Sequence, residues 1–314
     1  MMETVERLNR QTLARNTPTN AAAPLNHWQK PHVIIGSIAI ILLGAYIFIE
    51  TSLTQGVLYI LGLALGFTLF HARFGFTSAF RRLMSVGNVQ GIQAHMIMLA
   101  VASTIFAIIF ATDFTLTGSS PSGNISPVGV SLIVGSFIFG IGMQLGGGCA
   151  SGTLYHVGSG QSPTVITLVG FIAGSVIGAY HWGFWMNDMP SFKPFSLAES
   201  TNLGYFGAWA VQIALFAFIY WITVQVAKRK KPPMIKALPT ERGWKRVFRG
   251  SWPLYTAAVV LALLNALVLI VRGSPWGITS AFALWGSKII SAFGIDVSSW
   301  TYWSGDKGDA LTPD

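Results

Sequence analysis

Apolar stretches of about 20 residues recur along this chain, and each is long enough to cross a hydrocarbon core of roughly 30 Å as a helix. They fall near residues 32–49, 56–71, 91–111, 127–145, 162–180, 203–226 and 251–272, with a shorter one near 277–293. Lipid offers the backbone no water, so spanning segments must satisfy their own amides and carbonyls. Continuous runs of this length select helices, and the expected fold class is all-α, a polytopic membrane helical bundle. Composition agrees: 10% of the 314 residues are charged and 52% hydrophobic, whereas a soluble domain carries about 25% charged residues.

The few charges are unevenly placed. The net charge is +9, and nine of the 20 Lys and Arg residues lie between Lys228 and Arg249. A basic loop between two spans reads as the cytoplasmic side, and anionic lipid headgroups become expected partners of residues 228–249. No nucleic-acid-binding fold accompanies this charge, so nucleic acid is not an expected partner. With that loop inside, Asp113, Asp188 and Glu199 fall outside and Arg81 and Arg82 inside. The first 31 residues are polar, lack the basic-then-apolar order of a signal peptide, and read as a cytoplasmic tail.

One internal repeat stands out. GFTSAF at 75–80 recurs as GITSAF at 277–282, five of six residues identical at an offset of 202. The charge pattern gives the apolar runs before the two copies opposite orientations, the mark of an inverted-repeat transporter with its site near the midplane. The organisation expected is a tail (1–31), a first transmembrane repeat (32–226), the basic loop (227–250) and an incomplete second repeat (251–314). It is incomplete because the same offset carries position 149 to 351, past Asp314.

The single cysteine, Cys149, lies in MQLGGGCASGTLYHVGSG, and one cysteine cannot staple the chain internally. Small residues often serve close helix packing in membranes. Three consecutive glycines cost a helix roughly 1 kcal/mol each, however, and fit a broken helix or re-entrant loop better. A helix restarting there would aim free amides and its positive dipole end into a cavity, where anions bind. Gly147, Gly148, Cys149, Ser151 and Gly152 are the candidate binding residues, with Thr153 and Tyr155 nearby. Thr77, Ser78, Thr279 and Ser280 follow the repeated glycines and are candidates for flanking symmetric contacts. Their alternative role is to bond back to helix carbonyls in a tight helix contact.

Other polar residues in the apolar runs are His71, Arg73, His95, Gln144, Asn265 and Lys288, functional candidates by their rarity or interfacial side chains by their length. His156, seven residues after Cys149, suggests a Cys–His pair, but no third orienting residue can be named, and no catalytic residue is assigned. There is no metal-ligand spacing, no Walker sequence and no GxGxxG after a strand, so no metal, cofactor or ATP-driven step is expected.

RFGFTSAFRRL at 73–83, GGGCASGTLYHVGSGQ at 146–161 and GSPWGITSAFALWGSKI at 273–289 resemble the YeeE/YedE-type sulfur transporters. The resemblance implies a pseudo-symmetric carrier in a bacterial inner membrane, with loops dipping to the membrane middle, that takes up thiosulfate or a related sulfur anion. It implies that cysteine thiols on those loops pass the anion along by S–H···S hydrogen bonds, and Cys149 matches the GGC loop. Thr77 stands where many relatives carry a cysteine after GF, and the second cysteine loop has no counterpart before residue 314.

The expected function is uptake of a small sulfur-containing anion through Cys149, without enzymatic chemistry. The alternative is a membrane thiol enzyme or sulfur-carrier component that holds sulfane sulfur on Cys149 as a persulfide. A cytoplasmic sulfur-carrier protein is the candidate protein partner.

Overall fold

The computed structural model describes residues 30–118, 120–232, 247 and 251–311. The chain forms helices α1 (Lys30–Glu50), α2 (Leu53–Ala72), α3 (Phe76–Val86), α4 (Gln90–Thr112), α5 (Val130–Leu145), α6 (Ala150–Gly158), α7 (Pro163–Tyr180), α8 (Gly204–Lys230), α9 (Leu254–Arg272) and α10 (Ile278–Ala292). Among the described residues there is no sheet, only an isolated bridge between Gly129 and Ser191. Among the described residues seven stretches are long and apolar enough to cross a membrane, from Val33–Glu50 to Leu254–Arg272, and they fall where the seven full-length apolar runs lie. The shorter run becomes α10. Residues 1–29 of the expected tail and most of the basic loop 227–250 lie outside the described residues.

Helix α9 occupies the centre: 44% of its most apolar stretch is buried, against 6% in α1. The reason is in its sequence, where Ala257, Ala258, Ala262 and Ala266 are buried and let neighbouring backbones approach. Around it pack α2 and α4, and α8 lies against α4. Leu61, Leu65, Phe74, Leu261 and Val268 form the main core cluster.

Side-chain pairs fix the running directions. Tyr255 bonds Gln93 at the start of α4, while Ile109 packs with Leu269 near the other end, so α4 and α9 are parallel. The His71 carbonyl accepts from Trp252 N–H, so α2 ends where α9 begins. That end of the bundle gathers positive charge. Lys228, Arg229 and Lys230 fill the last turn of α8, complementing its dipole, and Lys230 lies against Gly87, which caps α3. The opposite end carries Asp113 and Glu199, the latter accepting a hydrogen bond from Tyr205.

Helices α6, α7 and α10 form a second group. Phe171 of α7 meets Phe282 of α10, Val176 meets Gly286, and Tyr180 meets Trp300 just beyond, so α10 runs in the same sense as α7. Trp303 closes the group, packing with Ala283 and Val297 and donating its indole N–H to the buried Ser287 hydroxyl.

Candidate functional site

The apolar stretch Val130–Gly158 is two helices, because the backbone breaks between α5 and α6. Three glycines make the break, each for its own reason. A Cβ on Gly146 would sit 2.8 Å from Thr167 Cγ2 on α7, Gly147 is left-handed at φ +73, and a Cβ on Gly148 would sit 2.9 Å from Thr153 Oγ1. Cys149 then stands at the N-cap of α6 in extended conformation, half-buried and with no cap hydrogen bond from its side chain. The first intrahelical bond here is Thr153 N–H to Cys149 O, so the amides of Ala150, Ser151 and Gly152 precede the ladder. With nine residues, α6 is about 13 Å long, less than half a membrane core.

The thiol's surroundings are small and polar. Ser151 Oγ lies 3.6 Å from Cys149 Sγ, and a Cβ on Gly152 would lie 3.3 Å from it. One turn further, Tyr155 covers Gly152, and its hydroxyl approaches Gly75, where a Cβ would be 3.5 Å away. Helix α6 thus reaches the α2–α3 break through Tyr155. Arg73, exposed and left-handed at φ 48, caps α2 beside that contact and bears electrostatically on Tyr155 and His156. The His156 ring lies tilted against Tyr155, 4.2 Å between centroids and 36° between planes.

Three buried polar side-chain atoms among the described residues have no hydrogen-bond partner: Thr77 Oγ1, Thr153 Oγ1 and His156 Nδ1. Thr77 is 2% exposed and Thr153 0%. An unpaired buried hydroxyl costs about 1–3 kcal/mol, so such atoms call for an explanation. All three lie on α3 and α6, the short helices after the two glycine breaks.

The repeated hexapeptides share one local structure. Gly75 and Gly277 are extended N-caps, and Ser78 and Ser280 hydroxyls donate back to Gly75 O at 2.9 Å and Gly277 O at 2.6 Å. Their surroundings differ. Thr77 and Ser78 sit on α3, packed on α4 and α5, while Thr279 and Ser280 are exposed at the start of α10, packed on α6 and α7. Cys149, Gly148, Ser151 and Gly152 come together around one helix start, Gly147 faces open space there, and Thr77 and Ser78 adjoin the Gly75–Tyr155 contact.

The remaining polar candidates resolve differently. His71, His95 and Asn265 bond backbone carbonyls four residues earlier in their own helices, as structural side chains do. The Gln144 carbonyl accepts from Arg81, tying α3 to the end of α5. Sequence reasoning passed over Gln93, which joins α4 to Thr223 of α8 and Tyr255 of α9. Its signal was a glutamine beside His95 in an apolar run. No group of His, Cys, Asp or Glu among the described residues could hold a metal ion, and no imidazole or carboxylate hydrogen-bonds the thiol there. A cavity of about 480 Å³ opens between α2 and α9, bordered by Gln55, Leu65, Arg272 and Trp276.

Comparison with known proteins adds a chemical class to this geometry. A family profile described as sulphur transport matches residues 71–307. The thiosulfate transporter TsuA of Escherichia coli K12 is 28% identical over 214 residues, covering 66% of this chain and 58% of that protein. The TsuA of Spirochaeta thermophila is 30% identical over 145 residues, 45% of this chain and 42% of its own length. The probable transporter YedE of Escherichia coli K12 is 31% identical over 127 residues, 40% and 30% of the two chains. The aligned part is therefore less than two thirds of each relative.

Proposed function

We propose that this chain, which belongs to the sulphur transport family and has seven stretches among its described residues long and apolar enough to cross a membrane, carries a small sulfur-containing anion, of which thiosulfate is the first candidate, across a bacterial inner membrane. The observation that carries the reading is Cys149 at the start of a nine-residue helix, with unladdered amides ahead of it and unpaired buried hydroxyls on the same short helices. The amides and helix dipole favour negative charge. The polarisable thiol suits a terminal sulfur better than it suits an oxyanion.

In this reading α3 and α10, which open on the repeated hexapeptides, are half-helices of an inverted pair. Support comes from the running directions: α2 and α3 both end at the basic end, while α9 and α10 both head away from it. Two consecutive helices of one sense, joined by only residues 273–277, require the link to turn back into the bundle. The start of α10 and the start of α6 then face one another within the membrane. Gly147, Gly148, Ser151 and Gly152 supply donors to the anion at Cys149, Thr77 and Ser78 flank it on one side, and Thr279 and Ser280 on the other. The basic end faces the cytoplasm by the positive-inside rule, where residues 228–249 also meet anionic headgroups and a sulfur-carrier protein can collect the anion.

The test is uptake of labelled thiosulfate by cells lacking other sulfur-anion uptake. Cys149→Ala is expected to reduce uptake to background at an unchanged membrane level. Uptake equal to that of the unsubstituted chain would sink the reading.

A further inference from the structure

Beyond Cys149, on the side of the basic end, stands an arrangement that the thiol site does not use. Arg73 caps α2 within the apolar stretch Leu53–Val86; its backbone N–H bonds the Leu69 and Phe70 carbonyls, while its guanidinium makes no hydrogen bond or ion pair with any described residue. A cation at such a place is expensive unless something compensates it, and is a functional candidate for that reason. It occupies a left-handed conformation, which a side chain with a Cβ disfavours. Beside it, the Tyr155 hydroxyl likewise has no hydrogen-bond partner among the described residues and sits at the Gly75 break. Arg82, about two turns along α3 from Gly75, also bears on Tyr155. Independently of these, Thr77, two residues past Gly75 and 2% exposed, holds an unpaired hydroxyl, and His156, tilted against Tyr155, an unpaired ring nitrogen.

We propose that Arg73 and the Tyr155 hydroxyl form a second anion station, which takes the sulfur anion from Cys149 and holds it before release at the basic end. The inference rests on the transport reading given above. The path is short and continuous: Cys149 Sγ adjoins Gly152, Gly152 lies under the Tyr155 ring, and the Tyr155 hydroxyl meets Gly75, two residues from Arg73. Gly152 is the open step, since a Cβ there would stand 3.3 Å from Sγ and 4.0 Å from the Tyr155 ring. The station's ligand is the oxyanion end of the substrate, which a guanidinium fork and a phenol donor match, while the thiol matches the sulfur end. A stepwise path between two moderate sites releases its cargo where one tight site would retain it.

The experiment uses the full chain and its sole thiol as a built-in reporter. Arg73→Gln, Arg73→Lys and Tyr155→Phe are compared with the unsubstituted protein for thiosulfate uptake, and for protection of Cys149 by thiosulfate against maleimide labelling. Gln and Lys meet the same left-handed backbone, so their difference isolates charge. Phe keeps the ring against His156 and removes only the hydroxyl. Arg73→Gln and Tyr155→Phe are expected to slow uptake roughly tenfold or more, the usual effect of deleting a hydrogen bond to a charged group, with protection of Cys149 retained. Arg73→Lys is expected to keep most of the uptake. Uptake by Arg73→Gln or Tyr155→Phe equal to that of the unsubstituted chain overturns the proposal. So does loss of Cys149 protection in step with uptake, which would make these residues part of the thiol site. If thiosulfate fails to protect Cys149 even in the unsubstituted protein, the reading of Cys149 falls, and a selective effect of Arg73→Gln on uptake still supports the station.

Discussion

At the residue scale, the site is built from positions that are poor for stability. Arg73 pays a backbone penalty of roughly 1–2 kcal/mol for its left-handed conformation. Arg73→Gly is therefore expected to raise the thermal midpoint in detergent while lowering thiosulfate uptake, and a variant that loses stability would show that the arginine side chain packs rather than serves. Thr153 makes the same point with a hydroxyl. Its Oγ1 is fully buried and unpaired, so Thr153→Val, nearly equal in shape, is expected to leave stability unchanged or raise it by about 1 kcal/mol. If the hydroxyl serves the anion, the same change raises the KM for uptake. A fall in stability would mean that the hydroxyl has a structural bond.

At the element scale, close contact between helices depends on single glycines. A Cβ on Gly286 would overlap Val176 Cγ2 at 2.2 Å and press on Ile172 Cγ2 at 3.0 Å, so α10 sits against α7 only because the side chain is absent. Gly286→Ala is expected to cost about 1–3 kcal/mol by overpacking, and Val176→Ala in the same chain to recover part of it. Thermal unfolding of the single and double variants checks this, and additive losses would show that the two residues do not compete for space. The helices themselves were legible in the sequence, because the bilayer imposes run lengths that few other environments require. The break before α6 was legible in GGGC, since no helix tolerates that density of glycine cheaply. The meeting of Tyr155 with Gly75 was not, because residues 80 apart come together only when α6 packs against the α2–α3 break. Nor was the role of Trp303, whose indole is buried and donates to Ser287 sixteen residues earlier. Such pairings depend on tertiary geometry, which hydropathy does not encode.

At the scale of the whole molecule, charge segregates along the bundle. Lys228, Arg229 and Lys230 and the α3 arginines gather at one end, Asp113 and Glu199 at the other. The account orients the basic end inward. In a Cys149→Ala background, Ser120→Cys is expected to react with an impermeant thiol reagent added to intact cells, and Ser85→Cys only after lysis. The reverse pattern would invert the topology and with it the transport direction. The cavity between α2 and α9 opens at the acidic end beside Arg272 and Trp276, the latter in the link that leads to α10, and in the proposed orientation that is the outer side.

The most direct measurement concerns the thiol itself, which is unique in the chain. The rate of Cys149 labelling by a small maleimide is measured in the purified protein with thiosulfate or phosphate added. The account predicts that thiosulfate at about ten times its dissociation constant slows labelling roughly tenfold, and that phosphate at the same concentration does not. A rate indifferent to saturating thiosulfate, or slowed equally by both anions, would contradict a sulfur-anion site at Cys149.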